Sequence, residues 1–244
     1  MKIINFLGIK FYDVDYNYVI NILLKGRKYL VIPAASALVK AYYFPQELTA
    51  LKKSNIAIFD SGFFCFCLLL TKGIKVKKFS GYKFLRFFFD DVRNIDKKIL
   101  SLDPTVKDLK YNKKFFRLKK FKFVKNYLCP LYSDSKVISD KKLLKIINEY
   151  KPELIICNIA GGKQESLALY IIQNASSKSS IICSGAALAF LSGTQAPIND
   201  FIDICYLGWF VRLIFNPKLY MKRILYSFNL FKIVFINKII LKNT

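Results

Sequence analysis

Asp60 is the first residue whose type and setting could do chemistry. It follows the apolar run Ile56–Phe59 and precedes Ser61-Gly62. A carboxylate at a strand end, with Phe59, Phe63 and Phe64 around it, can be pushed toward its neutral form by desolvation and act as a general base on a hydroxyl. Asp before an apolar helix is equally a common N-cap, and both readings stand. The second place is Ala160-Gly161-Gly162-Lys163-Gln164-Glu165, which follows Leu154–Asn158 and opens a helical pattern. Glycines at a helix N-terminus expose backbone amides where the dipole favours an anion, and Lys163 adds a full charge, so a nucleotide diphosphate could rest there. The GxxxxGK[ST] spacing of a Walker loop is absent, and an ordinary strand-to-helix turn would read the same way. Ser184-Gly185-Ala186-Ala187 is a third small-residue turn, suited to close approach of a ligand or to nothing more than a turn. The fourth is Gly208-Trp209-Phe210-Val211-Arg212, with Lys222 and Arg223 further on. Arginines there could hold phosphate oxygens bidentately.

The chain contains no histidine, which removes the commonest general base and every nucleophile that depends on one. The six cysteines (Cys65, Cys67, Cys129, Cys157, Cys183 and Cys205) form no CxxC pair and mostly lie in apolar runs. They read as buried small hydrophobes in a reducing compartment, and neither a zinc site nor a disulfide framework is expected. No cofactor is implied. Lys and Arg number 40 against 16 Asp and Glu, a net charge of +24, which calls for an anionic partner. Nucleic acid is not that partner, because no RNP, zinc-finger or helix-turn-helix pattern is present. An anionic membrane surface fits better.

Residues at strand ends need strands to position them. Short apolar runs at Leu30–Pro33, Ile56–Phe59, Lys98–Leu102, Phe121–Tyr127, Leu154–Asn158 and Ser180–Ser184 alternate with helical patterns. The helical patterns lie at Tyr16–Leu24, Ser36–Tyr43, Gln46–Lys53, Gly62–Thr71, Lys141–Tyr150 and Gln164–Asn174. This alternation predicts an α/β fold: a Rossmann-like, mostly parallel sheet with flanking helices. Ligands of such sheets bind beyond the carboxyl ends of the strands, where the first three places above fall. Lys107–Lys125, with nine Lys/Arg against one Asp, predicts a solvated helix face followed by an edge strand. From Tyr206 to Thr244 there are seven Lys/Arg, no acid, and many aromatics. That composition predicts a basic helical appendage lying in a lipid interface, or else a C-terminal helix packed on the sheet. The expected division is residues 1–195 for the α/β domain and 196–244 for the appendage. With no leader pattern and no apolar run of spanning length, the chain is expected in the cytoplasm, peripheral to the inner face of the cell membrane.

Over nearly its whole length the sequence resembles the WecG/TagA/CpsF glycosyltransferases. Leu7-Gly8-Ile9 matches the opening Gly-Val/Ile strand, Val31-Ile32-Pro33-Ala34-Ala35 the Thr-Pro-Asn turn, and Phe59-Asp60-Ser61-Gly62 the Asp-Gly turn. Ala160-Gly161-Gly162-Lys163-Gln164-Glu165 stands in the place of Gly-x-Pro-Lys-Gln-Glu; Gly185 and Gly193 match the small-residue loop, and Ala196-Pro197 an Ala-Pro pair. Gly208-Trp209-Phe210-Val211-Arg212-Leu213-Ile214-Phe215-Asn216-Pro217 matches Glu-Trp-x-x-Arg-Leu-x-x-x-Pro, with Arg223 beyond it. The resemblance implies an inverting, metal-independent hexosyltransferase that moves a sugar, often an N-acetylmannosamine derivative, from a UDP-sugar to a polyprenyl-diphosphate-linked acceptor for cell-envelope polysaccharide. It implies Asp60 as base, Gln164 near the substrate, and Arg212 and Arg223 closing over the site at the bilayer. Homo-oligomerisation is left open. Ile32, Ala34, Gly81-Tyr82-Lys83 and Gln195 depart from the family's polar residues. Those departures fit a different donor sugar, or a non-catalytic relative acting within a polysaccharide-assembly complex.

Overall fold

A computed structural model of the chain describes residues 1–133, 138–195, 199, 202–203 and 208–243. Ala196-Pro197, Cys205 and the start of the tail at Tyr206 lie outside the described residues.

The strands are β1 (Lys2–Phe6), β2 (Ile9–Asp13), β3 (Tyr29–Val31), β4 (Ile56–Ala57), β5 (Ile99–Asp103), β6 (Val124–Leu128), β7 (Leu154–Cys157), β8 (Ser180–Cys183) and β9 (Ile239–Asn243). They form one sheet in the order β6-β5-β7-β8-β3-β4-β2-β1-β9. All pairings from β6 through β2 are parallel, and β1 is antiparallel to both β2 and β9. The α/β, mostly parallel expectation holds. β7 and β8 (LIIC and SIIC) are buried at every position, as strands covered on both faces must be.

One face of the sheet carries α2 (Ala35–Tyr43), α3 (Pro45–Lys52), α4 (Gly62–Lys72), α7 (Lys141–Tyr150) and α8 (Lys163–Asn174). The other carries α1 (Tyr16–Leu23), α5 (Gly81–Asp90), α6 (Val106–Leu118) and α9 (Ala187–Ser192). α5 is strongly amphipathic; its Phe84, Leu85, Phe88 and Phe89 line one buried side at helical spacing. The basic run 107–125 is indeed an outward-facing helix, α6, followed by the edge strand β6.

The tail forms α10 (Gly208–Phe215), α11 (Pro217–Ser227) and α12 (Asn229–Ile236), and then departs from the all-helical expectation by ending in β9. β9 pairs with β1 from Lys2↔Asn243 to Phe6↔Ile239, satisfying an otherwise unpaired edge. α12 buries Leu230, Ile233 and Val234 in the same core as α2, α4 and α8.

Candidate functional site

Because β7, β8, β3 and β4 run parallel, the turns that follow them open at one end of the sheet. β3 and β8 are neighbours although they lie far apart in sequence, and the helices that follow them, α2 and α9, lie on opposite faces of the sheet. That divergence leaves a crevice at their carboxyl ends.

Asp60 follows β4, and Ser61 rather than Asp60 caps α4, its side chain accepting the Phe64 amide at 3.2 Å. The carboxylate is thus free of the capping role. Its Oδ1 accepts the Gly81 amide at 2.9 Å. Desolvation raises its pKa above the usual carboxylate range; the Gly81 bond and the nearby charges of Arg212 and Lys78 pull back, and Asp203 adds to the rise. Asp203 itself is held by Lys78 Nζ at 2.8 Å and by Ser80 Oγ at 2.9 Å. Lys78, Ser80 and Asp203 were not foreseen, and no spacing signal in the sequence would have found them; only folding of the 77–81 segment beside β4 brings them in.

Gly81 links this carboxylate to the crevice. A Cβ there would sit 3.3 Å from Ala187 Cβ, 3.4 Å from Ile32 Cγ2 and 3.6 Å from the Ser184 carbonyl. The next residue, Gly185, adopts a left-handed φ of 56° and donates its amide to Gln164 Oε1 at 2.7 Å. Gln164 Nε2 in turn donates to Glu165 Oε1 at 2.9 Å, and Glu165 Oε2 accepts the Gly162 amide at 2.6 Å. Asp60, the Ser184-Gly185 turn and the Gly162–Glu165 turn therefore form one contiguous line along the sheet end.

The glycine turn is more crowded than an empty anion cradle. Glu165 neutralises the start of α8 from inside, reaching back to the N-cap amide. Burial raises its pKa, opposed by its hydrogen bonds, with Glu47 adding to the rise. Gly162 has φ 87°, and a Cβ there would lie 2.6 to 2.8 Å from the Glu47 carboxylate. Glu47 is paired with Lys40 at 2.7 Å. Gly161 remains exposed, and Lys163 Nζ reaches across to the Ser133 carbonyl at 2.5 Å.

Arg212, on α10, stacks its guanidinium 4.4 Å from the Phe190 ring centroid, and its buried Nε has no hydrogen-bond partner among the described residues. Arg223 lies further out on α11, exposed and 5.6 Å from the Tyr220 ring. The Tyr220 hydroxyl donates to Gln195 at 3.4 Å, which ties α11 to the end of α9.

Two further features border the line. Asp103, at the end of β5 and fully buried, accepts from Ser101 Oγ, Asn112, Asn126 and Asn158 at 2.7 to 3.1 Å. Asn158 also accepts from Ser184 Oγ at 3.2 Å, so this network braces the crevice turn from below. On the other side of Lys78 a groove of about 570 Å³ opens between β2, α1 and α5, lined by Asp13, Asp15, Lys77, Lys83, Phe79 and Phe87 among others. Among the described residues no three Cys, Asp or Glu side chains gather as ligands of a metal ion would.

The family model described as Glycosyl transferase WecG/TagA/CpsF family matches residues 4–243 of the chain. No curated protein matches it.

Proposed function

Because the chain belongs to the WecG/TagA/CpsF family of glycosyltransferases, we propose that it moves a sugar from a UDP-sugar to a polyprenyl-diphosphate-linked acceptor at the inner face of the cell membrane, for cell-envelope polysaccharide. One observation carries the reading. A half-buried carboxylate with a raised pKa, Asp60, stands beside Arg212 and Lys78 and is joined through Gly81 and Gly185 to the Gln164–Glu165 turn. General base, cations and a second loop thus meet at one sheet end, as a displacement at a sugar carbon requires.

In the proposed step an acceptor hydroxyl oxygen attacks the anomeric carbon while its proton passes to Asp60. The bond from that carbon to the diphosphate oxygen breaks, and its electron pair leaves with UDP, inverting the centre. Arg212, whose Nε has no partner among the described residues, offsets the charge growing on the leaving diphosphate. Arg223 on the rim serves the acceptor diphosphate. Since Glu165 already holds the Gly162 amide, the donor diphosphate meets the turn through exposed Gly161 and the Lys163 ammonium, with Gln164, Glu165 and Gly185 holding the turn in place. The basic, aromatic-rich residues 196–244 make the membrane contact. No helix among the described residues is long and apolar enough to cross a bilayer.

Purified protein given UDP-sugars and a polyprenyl-diphosphate acceptor should release UDP, and Asp60→Asn should abolish release. Turnover unchanged in that variant removes Asp60 from the mechanism. A second reading, a non-catalytic relative, draws on Ile32, whose side chain makes the wall beside Gly81 apolar where a sugar would need hydrogen bonds. The two separate in a thermal-shift assay: a donor site raises the melting point with UDP, and its loss leaves the melting point unmoved.

A further inference from the structure

The outer side of α4 breaks the rule for a solvated helix. Its outward positions are Phe66, Leu69 and Leu70, at i, i+3 and i+4, with exposures of 51%, 50% and 59%. An amphipathic surface helix carries polar residues there. α12 packs alongside and turns Phe231, Phe235 and Ile236 to solvent, Phe235 by 63%. Contacts at the helix ends make the two surfaces continuous: Lys72 at the end of α4 donates to the Phe235 carbonyl at 2.9 Å and lies 6.0 Å from its ring centroid. Six large apolar side chains side by side exceed the scattered exposures of an ordinary monomer.

The rim decides what covers this plate. Lys72, Lys232 and Lys238 are exposed around it, and neither α4 nor the chain from 206 to 244 contains a carboxylate side chain. A second copy docked face to face would set lysines against lysines. Anionic headgroups above an acyl boundary satisfy both the rings and the cations.

We propose that α4 and α12 together form the lipid-facing plate, so that a helix of the α/β domain, and not the tail alone, enters the interface of an anionic bilayer. The proposal rests on the membrane-surface reading above and deepens it. α4 starts directly after Asp60 and its N-cap Ser61, and Phe66 lies about 7.5 Å of helical rise beyond Ser61. Seating α4 in the boundary therefore fixes the carboxylate close above the lipid, within reach of a diphosphate anchored there.

The test uses the full chain carrying Phe66→Ser, Leu69→Ser and Leu70→Ser, co-sedimented with mixed phosphatidylglycerol–phosphatidylcholine vesicles and with phosphatidylcholine alone. The wild type should partition to the anionic vesicles, and the triple variant about tenfold or more weaker, with its thermal melt unchanged. Equal partitioning of the two proteins overturns the plate and leaves tail-only contact. Failure of the wild type to bind, with transfer to a short-chain soluble acceptor intact, overturns the plate without touching the transferase reading. A wild-type dimer that the variant dissolves assigns the surface to a second copy and overturns it too. As a readout free of lost stability, Leu70→Trp in a Trp209→Phe background should be quenched by brominated acyl chains; absence of quenching with vesicles bound refutes the placement.

Discussion

Gln164→Glu tests the line that joins the two turns, because it changes one amide nitrogen to oxygen and nothing else. Gln164 is buried, its Oε1 holding the Gly185 amide at 2.7 Å and its Nε2 donating to Glu165 at 2.9 Å. At neutral pH the variant would place a second carboxylate against Glu165. It forfeits a hydrogen bond to a charged group, worth about 1.5–3 kcal/mol, and adds like-charge repulsion that the pair relieves by keeping a proton. A shared proton raises the pair's folded-state pKa above the unfolded value. A raised carboxyl pKa means that the folded state binds more protons, so stability is lost as pH rises through the window between the two values. Below that window the new carboxyl is protonated and can donate to Glu165 as the amide does. The variant should therefore melt close to the wild type at about pH 4 and on the order of 10 °C lower near pH 8, from about 2–4 kcal/mol over a chain of this size. Paired thermal unfolding curves across that range make the measurement. A gap that stays constant with pH would show that the amide does not face Glu165. Gln164→Met, which loses both bonds without adding a carboxyl, should show a smaller widening of the gap with pH, from the lost bond to ionised Glu165 alone, and serves as the control.

Asp60→Asn keeps an acceptor for Gly81 and removes a desolvated charge. Since the folded-state pKa of Asp60 is raised, ionisation costs stability above its unfolded value, so the variant should melt at or above the wild type near pH 8 and lose that advantage toward acid. In wild-type transfer assays the same shift should move the rising limb of the pH–rate profile above the ordinary carboxylate range; a limb at the value of a free aspartate would argue against Asp60 as base. Asp103→Ala should cost at least about 3 kcal/mol in urea unfolding, because four donors, three of them buried, lose their acceptor. Gly162→Ala should cost about 1–2 kcal/mol from its left-handed φ and the contact with Glu47; Glu47→Ala in the same chain should return only the contact part, and full rescue would refute backbone strain there.

The parallel core was legible because its strands are continuous apolar runs: Leu154–Cys157 and Ser180–Cys183 fall within the stretches read from sequence, bounded by charged or small residues. The β1–β2 hairpin was less so. Lys2–Phe6 and Ile9–Asp13 are mixed in polarity, and their pairing depends on the Leu7-Gly8 turn, where both residues have positive φ. β9 was hidden for another reason: Ile239–Asn243 closes a tail rich in helix-compatible aromatics, and only the free edge of β1, more than 230 residues earlier, makes it a strand. For the site, Asp60, Gln164 and Gly185 were visible as strand-end residues. Lys78, Ser80 and Asp203 were not, since an ion pair between residues 125 positions apart leaves no local pattern.

The start of α8 shows how a helix dipole can be spent before a ligand arrives. An N-terminus attracts anions because its first amides point outward without partners. Here Glu165 supplies an anion from the third position and takes the Gly162 amide, and Glu47 brings a second carboxylate to the same turn. Adding a diphosphate directly on that axis would set it against two acids, at a cost that the half-charge of a helix end cannot offset. Positive charge lies to either side: half-exposed Lys163, which donates to the Ser133 carbonyl, and, near Asp60, Arg212 with Lys78, the latter paired with Asp203. On the proposed reading, a nucleotide sugar lying along the sheet end would set its diphosphate beside those cations and its anomeric bond toward Asp60. Gly162 is then explained by packing and backbone, since its φ of 87° and the Glu47 carboxylate at 2.6 to 2.8 Å leave no room for a Cβ, whereas a Cβ at Gly161 would meet Ala37 only at an ordinary 3.5 Å contact. On the proposed reading, the Gly-Gly-Lys-Gln-Glu stretch would contribute rigidity through Gln164 and charge through Lys163, more than an amide cradle.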